Sequence, residues 1–266
     1  MTTAARTALP PRSRHPSHST RGMLPMMGVQ AKLYLREPMA TFFTIAFAPL
    51  MLVLFGLIYG NEPDPDLGGQ GAMDVTVPAY IALVIVSVGL IAVPIQTSTY
   101  RELGILRRYR ATPMRPLTFL IADVAAYYLM TLTGTVLLIA VGMAAFGVRM
   151  EGSLLAVLAG FTLSALAFFA LGYLVASVAP SARVAQTAGM LLAYPMMFLS
   201  GASLPLELLP PGLRTLADFI PLTYVVKLMR GLWYGEPWAD LRFDVLVLSV
   251  VLVAATALSV RFFRWQ

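Results

Sequence analysis

Long apolar runs alternate with short polar interruptions along the chain, and several runs are long enough to cross a bilayer. Six spans are predicted, at about 40–59, 78–99, 117–146, 154–178, 184–199 and 241–263. The third is longer than the about 20 residues a crossing needs, so it is expected to tilt or protrude. On the fourth, Ala156, Gly160 and Ser164 recur every fourth position, and Gly172 and Ala176 resume the spacing. Such a stripe lets helices approach closely. Pro94 and Pro195 are placed to kink the second and fifth spans.

The interruptions differ in character. Residues 61–77 hold Glu62, Asp64, Asp66 and Asp74 without a Lys or Arg, and read as a loop. A short loop with Arg149 and Glu151 follows the third span, and a turn at 179–183 follows the fourth. Ser200–Leu232 contains Pro205, Pro210, Pro211 and Pro221 yet stays rich in Leu. It is too broken to span and too apolar to be freely solvated. Two short helices, Leu206–Leu209 and Leu213–Phe219, are expected to dip into the outer half of the membrane between spans five and six. Non-helical backbone at that depth must be buried in protein.

Residues 1–22 hold several Pro, Ser, Thr and Arg and no acid, which reads as a disordered cytoplasmic tail. The same composition fits an organelle transit peptide. Met23–Pro38 reads as a helix lying in the interface, with Lys32 and Arg36 stacked beside Leu24, Val29, Leu33 and Leu35. Residues 23–266 then form a single membrane domain.

Composition sharpens this picture. Apolar residues make up 58% of the chain and charged residues only 12%, about half the charge of a soluble domain. The fold class is therefore all-α integral membrane. There are no cysteines, which excludes disulfides and thiolate metal sites. The only histidines, His15 and His18, lie in the polar tail, so no His-based metal site or catalytic triad sits within the spans. The net charge of +6 is spread around the spans as a membrane protein requires, and argues against a nucleic-acid partner.

The basic residues also set orientation. Arg6, Arg12, Arg14, Arg21, Lys32, Arg36, Arg101, Arg107, Arg108, Arg110, Arg115, Arg183, Arg261 and Arg264 fall on one side. Arg149, Arg214, Lys227, Arg230 and Arg242 fall on the other. The richer side, with both termini, is expected to be cytoplasmic.

The most polar break is Arg101–Pro116, RELGILRRYRATPMRP. Laid on a helix, Leu103, Ile105, Leu106 and Tyr109 share one arc with Glu102 at its middle, while Arg101, Gly104, Arg107 and Arg108 share the other. A carboxylate framed by apolar side chains suits a docking surface on a soluble partner. The plainer reading is a cytoplasmic loop in which Glu102 pairs with an arginine.

Two stretches resemble ABC-2 type exporter permeases, closest to the daunorubicin or drug-resistance type. In the break, Glu102, Gly104, Leu106, Thr112 and Pro113 match the family's E-x-G-x-L…TP loop. Residues 199–233, LSGASLPLELLPPGLRTLADFIPLTYVVKLMRGLW, resemble its stretch after the fifth span. Arg107 and Arg108 depart from the family, which often has an apolar residue there. The resemblance implies two separate ATP-binding-cassette subunits, which bind the ATP and Mg, and a second permease half, identical or similar. It makes the break the coupling helix, with Arg107 and Arg108 beside the motif residues, and Met23–Pro38 the connecting helix. The outward segment, with Leu206, Glu207, Leu209, Leu213 and Asp218, becomes the extracellular gate. The chain has no G-x-x-x-x-G-K-[ST] motif with which to cradle ATP phosphates itself, so it is expected to bind no cofactor and to be no enzyme on its own.

The resemblance also implies a path between the second and fifth spans of the two halves. Ser87, Gln96 and Thr97 on the second span, and Met190, Tyr194, Met197 and Phe198 on the fifth, are candidates to line it. Met-rich surfaces adapt to varied apolar ligands, although ordinary helix packing uses the same residues. Asp123, just inside the third span, is expected to pair with Arg115 or Arg183, or else to relay protons. In the outer segment Glu207, Asp218, Lys227 and Arg230 are expected to pair with one another.

The expected function is a plasma-membrane permease subunit that moves amphiphilic, drug-like or lipid-like molecules outward among the membrane lipids. A polysaccharide or glycolipid cargo is the alternative within the family. An ion-coupled secondary transporter is the alternative outside it, but that class wants several mid-membrane charges and an inverted repeat.

Overall fold

Helix dominates, as it must in a chain that satisfies its own backbone in lipid. The computed structural model describes residues 28, 41–65, 69–105, 116–203, 206 and 209–262. A π-helical turn, Phe42–Ala46, runs into α1, Phe47–Tyr59. A small hairpin follows, β1 (Pro63–Asp64) antiparallel to β2 (Gln70–Gly71). Next, α2 (Ala72–Val86), a second π-helical turn (Ser87–Ala92) and α3 (Val93–Glu102) form one continuous helical run. Beyond it lie α4 (Pro116–Phe146), α5 (Leu154–Val178), α6 (Ala182–Leu199), α7 (Pro211–Ala217), α8 (Pro221–Trp233) and α9 (Arg242–Phe262).

Among the described residues, four helices are long and apolar enough to cross a membrane: Ala72–Glu102, Leu120–Phe146, Leu154–Val178 and Arg242–Phe262. Thr44–Tyr59 is apolar but shorter, and α6 opens with Arg183 and Gln186. The chain is thus a multi-pass membrane protein, with helices at all six predicted positions and four that meet the length and hydropathy of a crossing. The tail and the connecting helix predicted at 23–38 lie outside the described residues, Gly28 excepted.

The run from α2 to α3 is the centre of the bundle, buried without a break from Val77 to Leu90. α5 packs across its π-helical turn and along α9, α4 closes on α1 and α2, and α6 rests on α3. Proline explains the π-helical turn. Pro94 has no amide proton for the carbonyl of Leu90, and the Val93 N–H reaches back five residues, to Val88 O. Glycines of two neighbours sit against the carbonyls that follow. A Cβ on Gly172 would come within 2.0 Å of Gly89 O, and one on Gly189 within 2.0 Å of Leu90 O. The predicted small-residue stripe on α5 therefore does its work here. Gly172 meets the π-helical turn and Gly160 lies under Leu232 and Met229 of α8, with Ser164 and Ala176 buried between and beyond them.

Three expectations are corrected. The second span starts at Ala72, not near 78, because Gly71 caps the helix and the Asp74 carboxylate accepts from the Gly71 N–H at 3.3 Å. The loop read over 61–77 is accordingly a hairpin and the first turns of a helix. The segment 200–232 is not broken throughout, because Pro221 stands at the first turn of α8, where a missing N–H costs nothing. Of the two short helices expected there, the second is present as Pro211–Ala217, and the first falls partly on residues 207–208, outside the described residues.

Candidate coupling site

One end of the bundle gathers the end of α3 and the turn between α5 and α6. The α3 helix stops where Gly104 takes φ +65°, a conformation glycine adopts without a Cβ penalty. Leu103 N–H donates to Thr99 O at 2.9 Å and Gly104 N–H to Arg101 O at 3.1 Å, closing the helix end. The helix that carries Glu102 thus ends before Gly104, which interrupts the single arc expected from Glu102 and Leu103 to Ile105, and Tyr109 of that arc lies outside the described residues. Leu106, Arg107, Arg108, Thr112 and Pro113 lie outside the described residues.

Glu102 itself is exposed, and its carboxylate accepts from the Ala182 N–H at 2.8 Å. It holds an otherwise orphan amide at the first turn of α6, beside Ser181, whose hydroxyl accepts from Val184 N–H at 3.3 Å. Next to it, the Arg101 guanidinium donates to Ala176 O, in the last turn of α5, at 3.0 Å and to Ala179 O, at the C-cap just beyond it. The arginine thus sits at a helix C-terminus and the glutamate at a helix N-terminus, each on the end whose partial charge it complements. Two turns into the bundle, Asp123 is buried and accepts from the Tyr173 hydroxyl at 2.8 Å. Among the described residues its hydrogen-bond partner is this tyrosine, and Arg115, one of the two arginines expected to pair with it, lies outside them.

The residues proposed for a path do not share one face. Ser87 is buried and donates to Leu83 O at 2.7 Å. Thr97 is buried, and Gln96 is half-buried. On α6, Met197 is buried with Ala185, Gly189 and Ala193, whereas Tyr194 and Phe198 are exposed and Met190 is intermediate. In the outer segment Leu206 lies against Gly201, Leu209 O accepts from Arg214 Nε at 2.9 Å, and Leu213 is exposed. Asp218 pairs with Lys227 at 3.6 Å, in keeping with the pairing expected there, while Arg230 donates to Gly201 O at 3.4 Å. The Lys227 ammonium also lies 5.5 Å from the Tyr224 ring centre. Glu207 lies outside the described residues.

The opposite end of the bundle has a knot that sequence reasoning missed. Asn61 donates to Phe146 O at 3.0 Å and accepts from the N–H groups of Met73 and Asp74 at 2.9 and 3.1 Å. Asp74 also accepts from Arg149 N–H at 3.2 Å. Trp233 donates through Nε1 to Arg149 O at 3.1 Å, and its carbonyl accepts from Glu151 and Gly152 N–H. Beside it, burial pushes the Tyr234 hydroxyl up to about 12, so that group stays neutral. No local motif announces these bonds; an Asn at a helix end and a Trp at the foot of α8 were the available signals.

Residues 26–234 match the family model described as ABC-2 type transporter. The chain belongs to the ABC-2 type transporter family. Three relatives of this ABC-2 chain are named Nodulation protein J. The one from Rhizobium leguminosarum bv. trifolii is 36% identical over 121 residues, 46% of this chain and 46% of the relative. The one from Rhizobium leguminosarum bv. viciae is 33% identical over 112 residues, 42% of this chain and 43% of its own. That from Neorhizobium galegae is 31% identical over the same length, 112 residues, again 42% and 43%. The chain spans less than half the length of these curated relatives.

Proposed function

We propose that this protein is the membrane permease subunit of an ATP-driven exporter, carrying amphiphilic or lipid-like molecules out of the cytoplasm or inner leaflet of the plasma membrane. Its ATP and Mg are held by two separate ATP-binding-cassette subunits, and a second permease half completes the path. The end of the bundle that carries Glu102 faces the cytoplasm with both termini, and all six predicted helices span. Force enters through the break beginning at Arg101. The cargo path draws on Gln96, Met190, Tyr194 and Phe198, the candidates that keep exposure, and Leu206–Asp218 gates its outer end.

One observation carries this reading: the family match runs through the basic break, and the break leaves the most deeply buried helical run in the bundle. A push on the break is therefore a push on the core. The test is Glu102→Ala, co-purified with the ATPase subunits and reconstituted in vesicles. The complex assembles and hydrolyses ATP but moves no cargo. Wild-type transport by this variant would overturn the assignment of Glu102.

A further inference from the structure

We infer that Arg101 is a positioning residue that, with Glu102, clamps the α5–α6 turn to the end of α3, so that the two intracellular connections move as one body. The inference rests on the coupling reading above and names how a push on the break reaches the fifth span.

The geometry is specific. Adjacent side chains of opposite charge do not pair with each other; they divide one turn between them. The Arg101 fork holds the α5 carbonyl of Ala176 and that of the C-cap, Ala179, and Glu102 closes the first amide of α6 at Ala182. Bonds with an ionised partner are the stronger kind, and here each also meets a helix dipole of opposite sign. The α6 helix then has little freedom to lag behind, because Gly189 rests on Leu90 O, in the same central run that ends at Glu102. The fifth span is therefore tied to the second at its cytoplasmic end and again about two turns further in. Arg101 is half-buried and bonded into the protein, so it does not belong to the surface that a soluble partner touches.

The sign pattern supplies a discriminating variant. If Arg101 and Glu102 served as a simple ion pair, the exchanged double variant Arg101→Glu/Glu102→Arg would restore function. In the clamp, the exchange places an anion on the carbonyls and a cation on the amide, so it is at least as defective as either single change.

The experiment has two arms, both on the full chain. In the first, the chain alone in lipid nanodiscs is followed by hydrogen exchange over residues 179–187. Arg101→Gln and the exchanged double variant speed exchange there roughly tenfold, the loss expected for a charge-assisted bond. Glu102→Gln, which keeps an acceptor for Ala182 but loses the charge, and Arg101→Lys, which keeps the charge but loses the fork, both lie between. In the second arm, with ATPase subunits present, the ratio of cargo moved to ATP consumed falls for Arg101→Gln, while ATPase binding is unchanged, and Arg101→Lys recovers part of it. Unaltered exchange in Arg101→Gln, or a functional exchanged double variant, would overturn the clamp. An unaltered transport ratio despite faster exchange would overturn its role in transmission. Failure of the coupling reading itself appears separately, as normal transport by Glu102→Ala.

Discussion

The Tyr173 hydroxyl donates to the Asp123 carboxylate at 2.8 Å, and both side chains are buried. This bond ties α4 to α5 one turn from Ala176, the carbonyl held by Arg101. A second tie, between Tyr128 and Thr162 at 2.8 Å, lies further along the same pair of helices. The third and fourth spans are thus joined by polar contacts as well as by packing.

Tyr173→Phe removes the donor that serves the buried carboxyl group of Asp123 among the described residues. The expected cost is about 1–3 kcal/mol of stability. Asp123→Asn costs less, because an amide oxygen still accepts. Thermal unfolding in detergent measures both, and the double variant should show coupling between them. Strict additivity would contradict the bond.

Gly172→Ala puts a methyl group within 2.0 Å of the Gly89 carbonyl, and backbone cannot turn aside as a side chain can. The variant is expected to lose about 1–3 kcal/mol or to fail to accumulate. Gly189→Ala, against Leu90 O, should behave alike. Gly212→Ala, with nothing within 4 Å, serves as the silent control. Equal melting temperatures for Gly172→Ala and Gly212→Ala would contradict the close approach.

Trp233→Phe keeps most of the ring's packing but loses the donor to Arg149 O. About 1 kcal/mol is expected from the lost bond. Trp233→Ala also opens a cavity in a fully buried site and should cost about 3–5 kcal/mol. Chemical unfolding of the purified chain separates the two.

The bundle was legible where the pattern is local. The fourth span was read at 154–178, the bounds of α5, and its small-residue stripe marked the surfaces that approach α8 and the central run. What stayed hidden depends on contacts far apart in sequence. Asp123 and Tyr173 are separated by 50 residues, and Glu102 and Ala182 by 80, so nothing near Glu102 announces that it caps another helix. The helix at 221–233 is hidden by Pro221, which looks like a break in the sequence although proline at a first helical turn starts a helix. At Gly104 the helical periodicity misleads in the opposite way, because the positive φ there ends a helix that the side-chain pattern continues.

The central claim is that the chain supplies a route but no driving force, which enters from ATPase subunits through the break. The direct measurement is flux in liposomes holding the purified chain alone under a cargo gradient, compared with liposomes that also hold the ATPase subunits and ATP. The account predicts negligible flux in the first and ATP-dependent export in the second. Robust cargo flux from the chain alone would contradict it.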